Sequence, residues 1–252
     1  MKPAVAAARP PKRCTDCALR VQTCFTQVSA TDLTWIETFR SGTRAVPAGQ
    51  SVFAEQSKIS QLFTVYSGWA FRYKTLADGS RQILNFLLAG DLVGLQAEFA
   101  NKATHGVEAL TDVQLCVFPQ DGLWSLFQSQ PQLGYDITWL SASNEYLVDE
   151  NLVTVGSRNA EQRVAMLLID LWRRAERLGL AAPDGSIAFP LTQQHIADAL
   201  GLSLVHTNKT LRKLERLGLH AIAAGRLRLL APGALAHMAD YYATPMRPVP
   251  LL

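Results

Sequence analysis

The chain has 252 residues, 48% of them apolar and 18% charged, with a formal net charge of +3. A mean hydropathy of +0.07 excludes a chain dominated by disorder or by membrane spans, and the length admits one or two domains with a sizeable core. The early apolar run at residues 4–8 is closed by Arg9-Pro10-Pro11, too short for a secretory h-region, and the later apolar runs carry charges, so a cytoplasmic protein without membrane attachment is expected. Charge is uneven: residues 156–230 hold eleven Lys/Arg against six Asp/Glu, a balance of +5, while the remainder balances at −2. Such asymmetry points to a polyanion at one end, although a basic face is often merely solvated.

Residues 1–28 carry the stretch KRCTDCALRVQTCFT, in which Cys14, Cys17 and Cys24 crowd together; the fourth and last cysteine is Cys116. In a cytoplasmic chain structural disulfides are rare, and clustered thiols more often bind metal or report redox state. Lys12, Arg13 and Arg20 are placed to favour thiolates. Residues 29–127 open with SATDLTWIETF, which reads as a short capped helix. From residue 44 to about 120 the texture is short apolar runs punctuated by Gly49, Gly68, Gly79, Gly90 and Gly94, with Asp78-Gly79 as a hairpin signal. This spacing predicts a barrel or jelly-roll-like β domain.

Residues 128–156 read as one long helix. Ile137, Leu140, Asn144, Leu147, Asn151 and Thr154 follow a 3-4-3-4-3 spacing, a heptad seam with two asparagines of the kind that set register in a dimer. The plainer alternative is a buried helix whose asparagines meet other polar groups. Residues 157–232 then give an amphipathic helix, RNAEQRVAMLLIDLWRRAERLG, two shorter helices and a small hairpin at Ala224-Gly225. Residues 233–252, which contain three prolines, read as a tail.

The two shorter helices carry the most specific signal. Thr192 caps the first, Gly201-Leu202-Ser203 makes a tight turn, and Ser203 caps the second, the pattern of a DNA-binding helix-turn-helix. At 100° per residue Leu204, Thr207, Leu211 and Leu214 form a core face. Val205, Lys209, Arg212 and Arg216 gather opposite, with Asn208 at the edge. Asn suits adenine, Lys suits guanine, and the arginines suit phosphates; Ser203 and His206 complete the expected DNA-binding set. A solvated basic face on a structural helix is the alternative.

A glycine-punctuated β-roll, a long helix and a C-terminal winged helix, in that order, resemble the Crp/Fnr superfamily of bacterial transcription regulators over about residues 12–232. The stretches that carry the likeness are VPAGQSVFAEQ, LFTVYSGWAFRYKTLADGSRQILNFLLAGDLVG, RNAEQRVAMLLIDL and LTQQHIADALGLSLVHTNKTLRKLERLGL. The resemblance implies an α+β chain with a cyclic-nucleotide-binding-like β-roll, a dimerisation helix and a winged helix-turn-helix. It implies palindromic promoter DNA, a second copy of the chain and RNA polymerase as partners. The cysteines are similar to those of the fumarate and nitrate reduction branch, which implies a 4Fe-4S cluster on Cys14, Cys17, Cys24 and Cys116. The same likeness implies sensing of oxygen or redox state; tetrahedral zinc, thiol redox chemistry without metal, and no shared site remain alternatives, as does a regulator that responds to a small organic ligand in the β-roll.

Cyclic-nucleotide sensors of this family place an arginine on the cyclic phosphate. Here the matching region is GLQAEFANKATHGVEAL, and no arginine lies between Arg81 and Arg158, so Lys102 and His105 are the candidate charges and a cyclic nucleotide is not expected. The branch's Glu-x-x-Ser-Arg reading pattern is replaced by Val205, Asn208 and Lys209, so its half-site does not carry over. No Gly-rich nucleotide loop, nucleophile elbow or paired metal-binding histidines point to an enzyme; an iron–sulfur electron carrier is the reading from another class.

Overall fold

The computed structural model describes residues 8–97, 101–242 and 247–252. The apolar run at 4–8 lies mostly outside these residues, as do 98–100 of the cyclic-nucleotide region and 243–246 of the expected tail. The described residues form two units: one holds 8–75, 86–97, 101–146 and 247–252, the other 76–85 and 147–242.

The first unit is a roll of two four-stranded sheets. One has the order β1-β8-β3-β6, with β1 Gly42–Val46, β3 Gln61–Ser67, β6 Leu92–Val93 and β8 Val113–Pro119. The other has the order β2-β7-β4-β5, with β2 Ser51–Phe53, β4 Ala70–Thr75, β7 Gly106–Ala109 and β5 Arg81–Leu87, of which Phe86 and Leu87 belong to this unit. Successive residues of a strand face opposite ways, and β3 and β8 use both faces. Phe63 and Val65, with Val113, Leu115 and Val117, point into the core between the sheets, which also holds Val46, Val52, Phe53 and Leu87. Leu62, Phe118 and Cys116 point the other way, into a second core with Cys14, Ile36, Leu126, Leu133, Ile137, Leu140 and Leu252. The period-2 alternation of β8 therefore turns Cys116 out of the roll and toward the N-terminal cysteines.

That outer core is covered by helices α1 Ala30–Phe39, α2 Leu123–Ser129 and the first part of α3 Pro131–Ser157. Ser29 caps α1 by accepting from the Asp32 amide at 3.0 Å. Ile137 and Leu140 are 4% and 6% exposed within the protomer, which corrects their assignment to an intersubunit seam. Asn144 donates to the Leu140 carbonyl at 3.1 Å, one turn back on its own helix. Further along α3, Leu147 is half-buried, Asn151 donates to the Leu84 carbonyl at 2.7 Å, and Thr154 is buried against Arg158. The exposed apolar side chains of α3 are instead Tyr135, Tyr146, Val148, Leu152 and Val153.

In the second unit, Leu76–Ser80 makes the turn announced by Asp78-Gly79; the Gly79 amide donates to the Leu76 carbonyl at 2.9 Å, and Gly79 has φ +82°. Helix α4, Ala160–Arg177, starts with a capping box between Asn159 and Gln162 and buries Val164, Leu168, Ile169 and Leu171. Helices α5 Gln193–Leu200 and α6 Leu204–Arg216 follow, then a three-stranded sheet in the order β10-β11-β9 (β9 Ile187–Ala188, β10 His220–Ala223, β11 Arg226–Leu229). Residues Pro232–Ala239 form helix α7, where a tail was expected. Among the described residues no helix is long and apolar enough to cross a membrane.

Candidate functional site

Two constellations carry chemistry, one in each unit. The first is built from consecutive tight turns. Cys14–Asp16 is a single 3₁₀ turn, and the Cys17 amide donates to the Cys14 carbonyl at 3.3 Å. Three residues per turn put positions i and i+3 on one side, so Cys-x-x-Cys presents both thiols together. Further turns at Cys17–Arg20, Leu19–Gln22 and Gln22–Phe25 follow. The Cys14 amide is fixed by Glu37 Oε2 of α1 at 2.8 Å.

Cys14, Cys17 and Cys116 line one cavity of about 20 Å³ with Arg20, Arg40, Thr64, Tyr66 and Leu252. On β8, Cys116 lies opposite Thr43 of β1 and Thr64 of β3. Cys24 is buried too, but it stands outside this lining; its Sγ lies 3.6 Å from Gln22 Oε1. No disulfide joins the four cysteines. Burial raises the Cys14 and Cys116 thiols above the ordinary range, and the nearby Arg40 guanidinium opposes it at both, joined by Arg20 at Cys14. Arg40, which also donates to the Pro11 and Lys12 carbonyls, is thus the thiols' principal cationic neighbour along with Arg20. At Cys14 and Cys116 the role expected of Lys12 and Arg13 falls to these two arginines.

The residues fit a thiolate-bound anionic group in kind. Arg20 Nη1 is buried with no hydrogen-bond partner among the described residues, and Arg20 lines the cavity of the three thiols. In packing they are tighter: the cavity has room for about one water molecule, and no three His, Cys, Asp or Glu among the described residues are arranged to hold a metal ion as they stand. Elsewhere in the roll, Arg72 Nε lies 3.2 Å from His105 Nε2, both side chains buried. Burial, aided by Arg72 and Lys74, lowers His105 to about 3, so it offers no charge to a phosphate.

The second constellation is the helix-turn-helix. Thr192 and His195 form a reciprocal capping box at the start of α5, and Gly201 ends it in the left-handed region at φ +60°. Ser203 Oγ accepts from the His206 amide at 3.2 Å and starts α6. Thr207, Thr210, Leu211 and Leu214 face inward, whereas Val205, His206, Lys209, Arg212 and Arg216 are exposed on the outer face, with Val205 at 79%. Two expectations change. Leu204 is 43% exposed instead of core, and Asn208 is half-buried, its Oδ1 buried without a hydrogen-bond partner among the described residues. Lys213 is taken by Glu161 of α4.

The hairpin β10–β11 turns at Ala224-Gly225, both at positive φ, as a two-residue turn requires. Arg226 clamps Ser186 through Oγ and the carbonyl, both at 2.7 Å. Arg228 is exposed between the buried Leu227 and Leu229, a further surface cation. The alternation Arg-Leu-Arg-Leu was the available signal for it.

Comparison with known proteins agrees with both halves. Residues 43–130 match the model of the cyclic nucleotide-binding domain, and 162–238 that of the Crp-like helix-turn-helix domain. The chain is 31% identical to the nitrogen fixation regulation protein FixK of Bradyrhizobium diazoefficiens, over 95% of this chain and 99% of that one. It is 28% identical to the transcriptional activator protein FnrL of Cereibacter sphaeroides, over 85% and 86% of the two chains. In fold it resembles FixK2 from Bradyrhizobium japonicum at a TM-score of 0.72 and 24% identity, covering 80% of this chain and 98% of that one.

Proposed function

Because the chain belongs to the Crp/Fnr family of DNA-binding transcription regulators, and is no enzyme, we propose that it is an activator whose DNA binding answers to the state of its cysteine site. The observation that carries this is the meeting of Cys14 and Cys17 with the distant Cys116 at one cavity, beside Arg20, whose Nη1 has no hydrogen-bond partner among the described residues. A 4Fe-4S cluster is the group we assign to it, with Cys14, Cys17 and Cys116 as three ligands and Cys24 as the fourth. Bound there, such a cluster supplies an electron-rich centre that oxygen or nitric oxide degrades. Arg20 and Arg40 would balance its negative charge, and the turns of residues 14–25 supply the slack by which Cys24 joins the set. Arg72 is turned to the uncharged His105, and no arginine lies between Arg81 and Arg158, so we assign no cyclic nucleotide.

At the other end, the outer face of α6 enters the major groove, with Val205, His206 and Lys209 toward base edges and Arg212 and Arg216 toward phosphates. Arg228 adds a phosphate contact from the wing. A homodimer places two such helices on a palindromic promoter site, where RNA polymerase is recruited. Purification without oxygen tests the sensor: the expected product is brown, with about four irons per chain, and Cys116→Ser abolishes the colour. A colourless product, whether metal-free or loaded with zinc, rejects the cluster.

A further inference from the structure

Residues 247–252 follow the DNA-binding unit in sequence, yet they belong to the sensor unit and lie against the cysteine segment. The stretch reads RPVPLL. The Thr26 amide donates to the Val249 carbonyl at 2.9 Å, and the Val249 amide donates to the Cys24 carbonyl at 2.8 Å, a parallel bridge opposite Phe25. Arg20 Nη2 donates to the Leu251 carbonyl at 3.0 Å. The buried Thr64 hydroxyl donates to the Leu252 carbonyl at 3.1 Å. Leu251 and Leu252 are 5% and 7% exposed, and both line the cavity of Cys14, Cys17 and Cys116. At the other end of the stretch, the Arg247 guanidinium stacks on Trp139 and Tyr135, with centroids at 5.0 and 5.5 Å.

The sensor is shaped to receive this segment. A Cβ at Gly90 would come within 2.5 Å of the Phe25 ring and 3.8 Å of Leu251 Cδ1, so the bare glycine leaves room for the layer under the segment. Pro248 and Pro250 hold the segment extended before it docks, which lowers the ordering cost. It has no helix and only one isolated bridge, and beside the two buried leucines and the Arg247 stack its clasps are single hydrogen bonds, so it can part from the site while the roll stays folded.

We propose that residues 247–252 are a strap that closes the cysteine cavity and sets how fast reagents from solvent reach Cys14, Cys17 and Cys116. The strap concerns the same site as the cluster assigned above, but it acts on the metal-free thiols as well, so each idea can fail alone. The test uses the full chain, reduced and metal-free under anaerobic conditions. Maleimide labelling is followed for each cysteine by mass spectrometry.

Two variants loosen the strap without touching a cysteine. Leu251→Ala combined with Leu252→Ala removes the two buried side chains that seat the strap, and alkylation of Cys14, Cys17 and Cys116 should rise about tenfold, equivalent to about 1.4 kcal/mol in the opening equilibrium. Val249→Pro removes the amide that holds the Cys24 carbonyl together with the partly buried valine side chain, and should give a rise of roughly threefold. Should the double variant unfold the sensor, shown by loss of its urea transition, the proline variant decides. Labelling rates equal to the parent's in a folded variant overturn the strap. Faster labelling in a protein that never takes up iron keeps the strap and rejects the cluster.

Discussion

Burial weighs more than neighbouring charge on the ionisable side chains of the sensor unit. Cys14 and Cys116 are held toward the neutral thiol by desolvation despite the arginines beside them, so any metal that binds must displace protons. His105 shows the same balance in a form that stability measurements can read. Its folded value of about 3 lies below the ordinary 6.5, so the unfolded chain takes up a proton first as pH falls. The neutral side chain costs nothing above pH 6.5, and below it the sensor loses about 1.4 kcal/mol per pH unit until the folded form also protonates near pH 3. Urea unfolding at pH 7 and 5.5 should show this loss in the parent. His105→Gln, which keeps an acceptor for Arg72 but does not titrate, should lack it; equal pH dependence in the two proteins rejects the assignment. On the DNA side, Arg212 is exposed on the face proposed to meet phosphates, so Arg212→Ala should weaken binding to all sequences alike. The slope of log affinity against log salt should fall by about one. An unchanged slope removes Arg212 from the phosphate contacts.

Among the elements, α3 divides its side chains between two tasks. Ile137 is packed with Leu126, Leu133 and Phe118, so Ile137→Ala should cost about 2–5 kcal/mol of sensor stability and leave the dimer constant unchanged. Leu152, 67% exposed, touches little within the protomer, so Leu152→Glu should spare the unfolding midpoint and shift analytical ultracentrifugation toward monomer. The reverse pattern would restore the sequence-derived seam. That seam was misplaced because a heptad spacing marks an apolar stripe without saying which surface covers it, and α2 and the β-roll cover its first two positions. The strands, the Asp78-Gly79 turn and the helix-turn-helix were legible because each is written in local chemistry: alternation, positive-φ glycine, caps three residues from their targets. The pairing of Cys14 with Cys17 was legible for the same reason. Arg40 and Leu252 were not, since they meet the thiols only through the tertiary fold, and the prolines of RPVPLL look like those of any loose tail.

For the whole molecule, the chain order of the sensor sets a schedule of assembly. The roll, the cysteine segment and the first part of α3 are all translated before the helix-turn-helix, whereas residues 247–252 emerge only after it, about a hundred residues later. At ribosomal speeds of about 5–20 residues per second, that leaves an interval of about 5–20 seconds in which the roll has its strands but the cysteine cavity lacks its cover. Reagents from solvent have their widest access to Cys14, Cys17 and Cys116 in that interval. Synthesis itself therefore leaves these thiols open for a time, and a fragment ending at residue 146 would keep them open permanently.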